Sequence, residues 1–327
     1  MMALGFAFNN RAVPTVIPVS GFNAVEDAVA LRQAMKGFGT DEQAIIDILT
    51  KRSYNQRQEI SKTYATEIER DLIRDLKSEL SGNFKKVIIG LMTHPVEYLC
   101  EQLHNALTGI LRCNKMALVE ILCTRDYKEI KQINDTYEIL YKRPLIEHVC
   151  SVTSGDFRRF MTLIATAVRN QPMQVCPERA REQAEALYAA GEAKWGTDEA
   201  VFNKILAHES YGQLKLVFEE YKKISGRTIK QALQSELSGS LLDAMLAVVQ
   251  NIENPKTFYA NQLYKAIDGL GTDDATLIRI IVSRCEIDLG NIKQEYERLY
   301  GKTLESDVKG DTSGDYMKTL VALIGGP

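Results

Sequence analysis

Residues 71–82 read DLIRDLKSELSG, and Leu72, Leu76 and Leu80 recur at every fourth position. Leucines at i, i+4 and i+8 place an apolar stripe along one face of a helix. Gly82 follows the last leucine closely and is a candidate C-cap, because glycine tolerates the left-handed backbone that often ends a helix. The stretch therefore predicts a short amphipathic helix that packs on a core and stops near Gly82.

The same spacing occurs four times along the chain. Four short segments resemble each other, the first being residues 48–53, and the serine of a Ser-Gly pair lies 29 positions after the fifth residue of each segment. The pairs of positions are Arg52 and Ser81, Arg125 and Ser154, Glu209 and Ser238, and Arg284 and Ser313. Equal spacings indicate internal repeats of about 70–75 residues. Glu209 stands where the other three repeats have arginine, so its ion pairing is expected to differ.

The fold class follows from the period within each repeat. Helical spacing recurs, for example in DDATLIRIIVSR, and no useful stretch alternates with a period of two. Each repeat has room for about five short helices joined by tight turns. We predict an all-α protein of four stacked helical repeats. The predicted divisions are a tail at 1–20, repeats at 21–92, 93–169, 183–252 and 253–327, and a linker at 170–182.

Composition limits the partners. The formal net charge is −3 and the pI is about 5.9, so the chain has no general attraction to nucleic acid or to an anionic membrane. No signal peptide and no apolar run long enough for a membrane span is visible. The six cysteines form no CxxC pair, which is typical of reduced thiols in a cytosolic protein.

Three repeats carry a glycine-containing loop between two helical segments. The loops read MKGFGTDE at 35–42, GEAKWGTDE at 191–199 and IDGLGTDD at 267–274. Taken singly, each indicates a glycine turn followed by a helix, with the threonine as N-cap and the next acids at the positive helix end. The predicted N-caps are Thr40, Thr197 and Thr272.

A distant acid changes that interpretation. An acid lies 40 residues after a loop glycine in the same three repeats, two residues before Ser-Gly. The pairs are Gly39 and Glu79, Gly196 and Glu236, and Gly271 and Asp311. Loop carbonyls with one bidentate carboxylate suit a hard cation and favour Ca²⁺. So few carboxylates predict weak intrinsic affinity, near ~10⁻⁴–10⁻³ M.

The second repeat breaks the pattern. Leu111 replaces the second glycine, Arg112 replaces the threonine, and Val152 stands at the acid position. The turn and the carboxylate are both lost, and a cation enters the loop. We predict that this repeat binds no calcium there.

These motifs resemble the annexin family over nearly the whole chain, as an invertebrate-like member with a short N-terminal tail. MKGFGTDE with KSELSG, AKWGTDE with QSELSG, and IDGLGTDD with GDTSG carry the resemblance. It implies a slightly curved disc of four five-helix repeats whose convex face binds calcium and acidic phospholipid membranes, such as those containing phosphatidylserine. It also implies a cytoplasmic protein that becomes peripheral on membranes when calcium rises. The tail is where a protein partner would bind, and self-association on membranes is a further expectation.

The resemblance also implies a ligand set for each loop. The expected calcium ligands are Met35, Gly37, Gly39 and Glu79; Gly191, Lys194, Gly196 and Glu236; and Ile267, Gly269, Gly271 and Asp311. The expected members of weaker neighbouring sites are Thr40 with Glu42, Thr197 with Glu199, and Thr272 with Asp274.

Large apolar residues occupy the tips of the three loops: Phe38, Trp195 and Leu270. Tryptophan favours the bilayer interface, so we expect these residues to enter the headgroup region. The alternative is that Trp195, the only tryptophan, packs back on its own repeat.

The sequence leaves three other functions to consider. A protein-binding helical scaffold would leave three loop-and-acid sets without a purpose. An enzyme is not expected, because the four histidines have no metal-ligand spacing and no catalytic motif is visible. A minor ion-conducting role would rest on charged positions that match a central polar channel in the family: Glu120, Arg125 and Arg279.

Overall fold

The computed structural model describes residues 12–37, 39–109, 113–169, 175–192, 196–269 and 271–325. Twenty α-helices and no strand lie in these ranges, so the predicted all-α class is confirmed. Two compact units are present, one formed by Met1–His94 with Tyr259–Pro327 and the other by Pro95–Phe258. Among the described helices, none combines the length and apolar character needed to cross a bilayer.

The helices fall into four groups of five. The first repeat contains α1 (Ala24–Ala34), α2 (Glu42–Leu49), α3 (Tyr54–Glu67), α4 (Leu72–Glu79) and α5 (Gly82–Met92). The second contains α6 (Pro95–Leu107), α7 (Lys115–Cys123), α8 (Tyr127–Tyr141), α9 (Leu145–Val152) and α10 (Gly155–Ala165). The third contains α11 (Pro177–Ala190), α12 (Glu199–His208), α13 (Tyr211–Ser225), α14 (Ile229–Glu236) and α15 (Gly239–Glu253). The fourth contains α16 (Pro255–Ile267), α17 (Asp274–Arg284), α18 (Leu289–Tyr300), α19 (Leu304–Asp311) and α20 (Gly314–Gly325).

The same packing recurs in both units. In each repeat the fourth helix packs on the fifth, and within a unit two repeats meet through their second and fifth helices, as α2 does with α20 and α7 with α15. The predicted apolar stripe of α4 faces this core, since Leu72 and Leu76 are fully buried and Leu80 is nearly so. Each repeat therefore packs its core against that of a neighbour in its unit.

Gly82 does not end α4, and the predicted C-cap is wrong. Leu80 is the C-cap of α4, while Gly82 begins α5 with a φ of 59°. The glycines of the other three Ser-Gly pairs begin helices in the same way, with φ of 61° or 62°. The chain reverses direction between two packed helices at this point, and the left-handed backbone needed there favours glycine. The repeated Ser-Gly pair thus marks the start of each fifth helix.

The described part of the N-terminal tail is fixed to the first and fourth repeats. The Val13 amide donates to Asn291 Oδ1 at 2.8 Å, and the Thr15 amide donates to the Cys285 carbonyl at 2.8 Å. A Cβ on Gly290 would lie 2.7 Å from the Val13 carbonyl oxygen, so only glycine allows this close approach. Within the linker predicted at 170–182, α11 already begins at Pro177.

Candidate metal centres

Each loop between the first and second helices is closed by one main-chain hydrogen bond. The amide at the start of the second helix donates to an alanine carbonyl near the end of the first. The four bonds, each 2.8 Å, are Asp41 to Ala34, Asn114 to Ala106, Asp198 to Ala190 and Asp273 to Ala266. The second repeat keeps this closure although its loop sequence has diverged. The same main-chain bond therefore joins the two ends of each loop.

The loop threonine contacts the distant acid in three repeats. Thr40 Oγ1 donates to Glu79 Oε2 at 3.1 Å, and Thr197 Oγ1 donates to Glu236 Oε2 at 3.0 Å. Thr272 Oγ1 donates to Asp311 Oδ2 in the same way. The loop and the residue about 40 positions later are thus brought together. Glu79 and Asp311 are exposed and Glu236 is half-buried, so an external ligand can reach all three carboxylates.

The threonines are not the N-caps, so that prediction is wrong by one residue. Asp41 Oδ1 accepts from the Ala44 amide at 3.0 Å, and Asp273 Oδ1 accepts from the Thr276 amide at 3.1 Å. Asp198 caps α12 similarly. The aspartate is the better cap because its charge also interacts with the positive helix end. The threonine hydroxyl is then free to hold the distant acid.

Glycines shape the loop backbone. Gly39, Gly196 and Gly271 have φ of 91°, 80° and 93°, a region that side chains other than glycine rarely adopt. Gly37 has a φ of 112°. In the fourth repeat the Gly271 carbonyl oxygen lies 3.8 Å from the point where a Gly269 side chain would begin. The missing side chains therefore leave room beside the loop carbonyls for a cation.

The remaining predicted ligands lie around the same loops. Met35 and Gly191 are buried at the ends of the first helices, while Gly37 and Gly269 are exposed. The Ile267 carbonyl accepts a hydrogen bond from the Gly269 amide at 3.0 Å, which leaves its second lone pair. The members of the weaker sites that lie in the first turn of the next helix are Glu42, Glu199 and Asp274. The four predicted residues that lie outside the described ranges are Phe38, Lys194, Trp195 and Leu270.

Side chains alone do not form these sites. Nowhere in the described residues do three or more His, Cys, Asp or Glu side chains converge as a metal site would require. Each loop offers one carboxylate together with carbonyl oxygens. An all-oxygen donor set of low charge fits Ca²⁺ and does not fit a softer metal that prefers nitrogen or sulfur.

The annexin family model matches residues 26–91, 98–164, 182–248 and 258–323. The chain is a member of the annexin family. Annexin B10 of Drosophila melanogaster is 57% identical over 96% of this chain and 98% of its own length. The structure is similar to annexin III, with a TM-score of 0.93 and 42% identity over 97% of this chain and 98% of that one. It is also similar to calcium-bound annexin (Sm)1, with a TM-score of 0.84 and 34% identity over 96% and 93% of the two chains. Annexins are calcium-dependent phospholipid-binding proteins.

The second repeat of this annexin lacks the acid. Val152 stands at that position, 37% exposed, and valine offers no oxygen ligand. Residues 110–112 of its loop lie outside the described ranges. That this repeat binds no calcium stays a prediction.

A buried tyrosine that the sequence patterns did not predict lies in the third helix of every repeat. Each is fully buried and its hydroxyl contacts a polar side chain. The pairs are Tyr64 with Asp75 at 2.8 Å, Tyr137 with His148 at 2.8 Å, Tyr221 with Glu192 at 3.1 Å, and Tyr296 with Asp307 at 2.7 Å. The tyrosine lies 12 residues after the position of Arg52 in each repeat, and this spacing could have revealed it.

In the third repeat the tyrosine supports the loop between the first and second helices directly. Glu192 lies in the loop itself, and its carboxylate accepts from Tyr221 and pairs with Arg227. Two of the charged positions that match the family's polar channel have hydrogen bonds close to their own helix. Arg125 Nη1 donates to the Ile121 carbonyl at 2.9 Å, and Arg279 Nη2 donates to Thr276 Oγ1 at 3.0 Å. Each bond stays within its own helix or at its end.

Two histidines replace the acidic partner of the tyrosine in the second repeat. Tyr137 Oη lies 2.8 Å from His148 Nδ1 and 3.2 Å from His104 Nδ1. Burial lowers the pKa of both imidazoles, and the Arg143 charge lowers the pKa of His148 further. The folded state therefore binds protons less readily than the unfolded state, whose histidines have a pKa of about 6.5.

We expect acid to destabilise the unit that contains the second repeat. As pH falls from about 7.5 to 5.5, the unfolded state takes up more protons than the folded state, so the free energy of unfolding falls. Well above the unfolded pKa of about 6.5 the histidines are neutral in both states, so this loss of stability is absent there. Thermal unfolding measured across this range should show a lower Tm at acidic pH. The double variant His104→Gln/His148→Gln should flatten the dependence, whereas His208→Gln should leave it unchanged. A flat profile in the unsubstituted protein would contradict the assignment.

Proposed function

We propose that this annexin binds acidic phospholipid membranes through calcium held by the loops of its first, third and fourth repeats. The observation that supports the proposal is the threonine-to-acid contact, which occurs in these three repeats. The second repeat has valine at the acid position. The relative annexin (Sm)1 has been solved in a calcium-bound form, which supports the same metal here.

The proposed ligands are the loop carbonyls and the acid of each repeat. The sets are Met35, Gly37, Gly39 with Glu79; Gly191, Lys194, Gly196 with Glu236; and Ile267, Gly269, Gly271 with Asp311. The threonine hydroxyl holds its carboxylate beside the loop, which reduces the ordering cost of binding an ion there. The residues of the weaker neighbouring sites remain proposals.

A calcium ion between the protein and the bilayer would allow two negatively charged surfaces to bind each other. The chain carries a formal net charge of −3, so it has no general attraction to an anionic bilayer. Calcium, when bound, offers open coordination positions that lipid phosphate and carboxylate oxygens can fill. Binding of the ion and of the lipid must then strengthen each other by the same factor. Three weak sites on one protein add avidity, because the first contact raises the effective lipid concentration at the others.

We further propose a cytoplasmic protein that becomes peripheral on membranes when calcium rises. Phe38, Trp195 and Leu270 are proposed to enter the headgroup region, as their apolar character at the loop tips suggests. A binding role, not catalysis, is proposed. A tail partner and self-association on the membrane also remain proposals.

Sedimentation with phosphatidylserine vesicles across a calcium titration tests the function, with Trp195 fluorescence read in the same samples. We expect calcium-dependent pelleting that chelator reverses and a blue shift of the emission, because the single indole enters a less polar environment. Pelleting without a spectral change would remove Trp195 from the interface and leave the bridge. Absence of pelleting at millimolar calcium would overturn the membrane proposal and favour the protein-binding scaffold.

A further inference from the structure

The turn between the third and fourth helices carries a cation at the same position in every repeat. The residue six positions after the buried tyrosine is Arg70, Arg143, Arg227 or Lys302. In the first repeat Arg70 forms two hydrogen bonds of 2.7 Å with Asp75. In the third repeat Arg227 pairs with Glu192. The charge of these two guanidinium groups is therefore already matched by a carboxylate inside the protein.

Arg143 differs because the carboxylate is missing. His148 occupies the position of Asp75, eleven residues after the buried tyrosine. Among the described residues, the hydrogen bonds of Arg143 Nη2 go to Ser151 Oγ at 2.9 Å and to the Glu147 carbonyl at 3.4 Å. Both acceptors are neutral. The guanidinium is half-exposed, and within the described ranges it forms no ion pair of 4.0 Å or less.

The neighbouring residue adds a second charge. Lys142 is exposed and has a φ of 53°, and the residue at the same place in the first repeat is Glu69, with a φ of 56°. The same backbone turn thus presents an acid in the first repeat and a lysine in the second. Its two cations, Lys142 and Arg143, have no acid between or directly after them, since Pro144 follows.

The Arg143 guanidinium lies near the position that carries the acid in the other repeats. Ser151, which Arg143 contacts, directly precedes Val152, and Val152 stands where the other repeats have the calcium carboxylate. The guanidinium therefore lies beside the end of α9, the helix end from which the other repeats offer their acid. A planar guanidinium is well suited to binding two phosphate oxygens at once.

We propose that Arg143, assisted by Lys142, binds the phosphate of an acidic membrane lipid directly, so that a fixed cation does in the second repeat what a calcium ion does in the others. The proposal rests on the proposed membrane function. It accounts for a repeat that has lost its acid and its second loop glycine while gaining an unpaired guanidinium at the same end of the repeat.

Vesicle binding by the full chain tests the proposal, with mixed phosphatidylserine and phosphatidylcholine vesicles at saturating calcium. Arg143→Gln should weaken vesicle affinity about fivefold, the usual effect of one basic residue at an anionic surface. Calcium binding without lipid and the Tm should stay unchanged. Arg143→Lys keeps the charge but cannot bind two phosphate oxygens side by side, so it should retain only part of the affinity. Arg159→Gln, which removes an exposed arginine already paired with Asp156 in the same repeat, is the matched control and should have no effect.

A second variant leaves Arg143 in place and neutralises it. His148→Asp recreates the Asp75 arrangement of the first repeat, so the new carboxylate should pair with Arg143. We expect the variant to fold stably and to lose vesicle affinity to the same extent as Arg143→Gln. If the wild type binds vesicles and both variants bind with full affinity, the inference about Arg143 is overturned and the proposed membrane function stands. Failure of the wild type to bind vesicles would instead remove the proposed function itself.

Inorganic phosphate, titrated calorimetrically without calcium, separates a lipid site from a free-anion site. We expect weak or undetectable heat with the wild type and fivefold weaker vesicle binding by Arg143→Gln. Tight phosphate binding that Arg143→Gln abolishes, with vesicle affinity unchanged, would overturn the assignment to a lipid.

Discussion

Replacing Glu79, Glu236 and Asp311 together by their amides is expected to abolish calcium-dependent binding to phosphatidylserine vesicles. Each loop brings a single distant carboxylate to its carbonyls, and that carboxylate is the only charged ligand in the proposed set. An amide keeps the shape and can still accept from the threonine, but it removes the charge that favours a hard cation. Pelleting at about 1 mM calcium should fall to background.

Single variants should show how the sites act together. Each should raise the calcium concentration needed for half-maximal binding by about tenfold, because two anchored sites retain part of the avidity. A control triple variant, Glu67→Gln, Glu219→Gln and Glu297→Gln, removes the same charge from exposed positions on the third helices. It should bind as the wild type does. If the control loses binding equally, net charge and not the loop acids would explain the result.

The sequence predicted the repeat and its loops because both depend on short spacings. The stripe of α4 follows from periodicity, and the approach of the loop that contains Gly39 to Glu79 follows from equal distances along the chain. Which residue caps a helix depends on a competition that spacing does not reveal. Thr40 is a good cap in isolation, but its hydroxyl is taken by an acid on another helix, and Asp41 caps instead.

Partners across helices were harder to predict. The exchange of Asp75 for His148 is visible in the sequence, yet its effect depends on Tyr137 and Arg143 lying beside the same side chain. The sequence predicts Gly82 as the C-cap of α4, whereas it is the first residue of α5. A glycine between two helices can take the left-handed backbone at either place. The packing of the two helices determines which of these two positions the glycine takes.

Glu209→Arg is expected to be among the most destabilising single substitutions in the chain, although it restores the residue of the other three repeats. Glu209 is 5% exposed and pairs with Arg179. Its carbonyl accepts from Arg169 Nη1 at 2.7 Å. In the first repeat the polarity is opposite, since Arg52 Nε pairs with Asp27 at 2.6 Å. An arginine at 209 would place a buried cation between two others, which should lower the free energy of unfolding by about 3–5 kcal/mol.

Denaturant unfolding of three variants separates charge from shape at this site. Glu209→Gln keeps the volume and removes only the pairing, and Arg179 is half-exposed and can be solvated, so the loss should be about 1 kcal/mol. Arg179→Glu combined with Glu209→Arg exchanges the two charges and should recover part of the stability lost in Glu209→Arg, giving a favourable coupling free energy in the double-mutant cycle. Recovery should be incomplete because Arg169 remains beside the new arginine. Equal stability of Glu209→Arg and the wild type would show that the third repeat tolerates either an acid or an arginine at position 209. The pair formed by Arg179 and Glu209 would then have no role in holding α11 against α12.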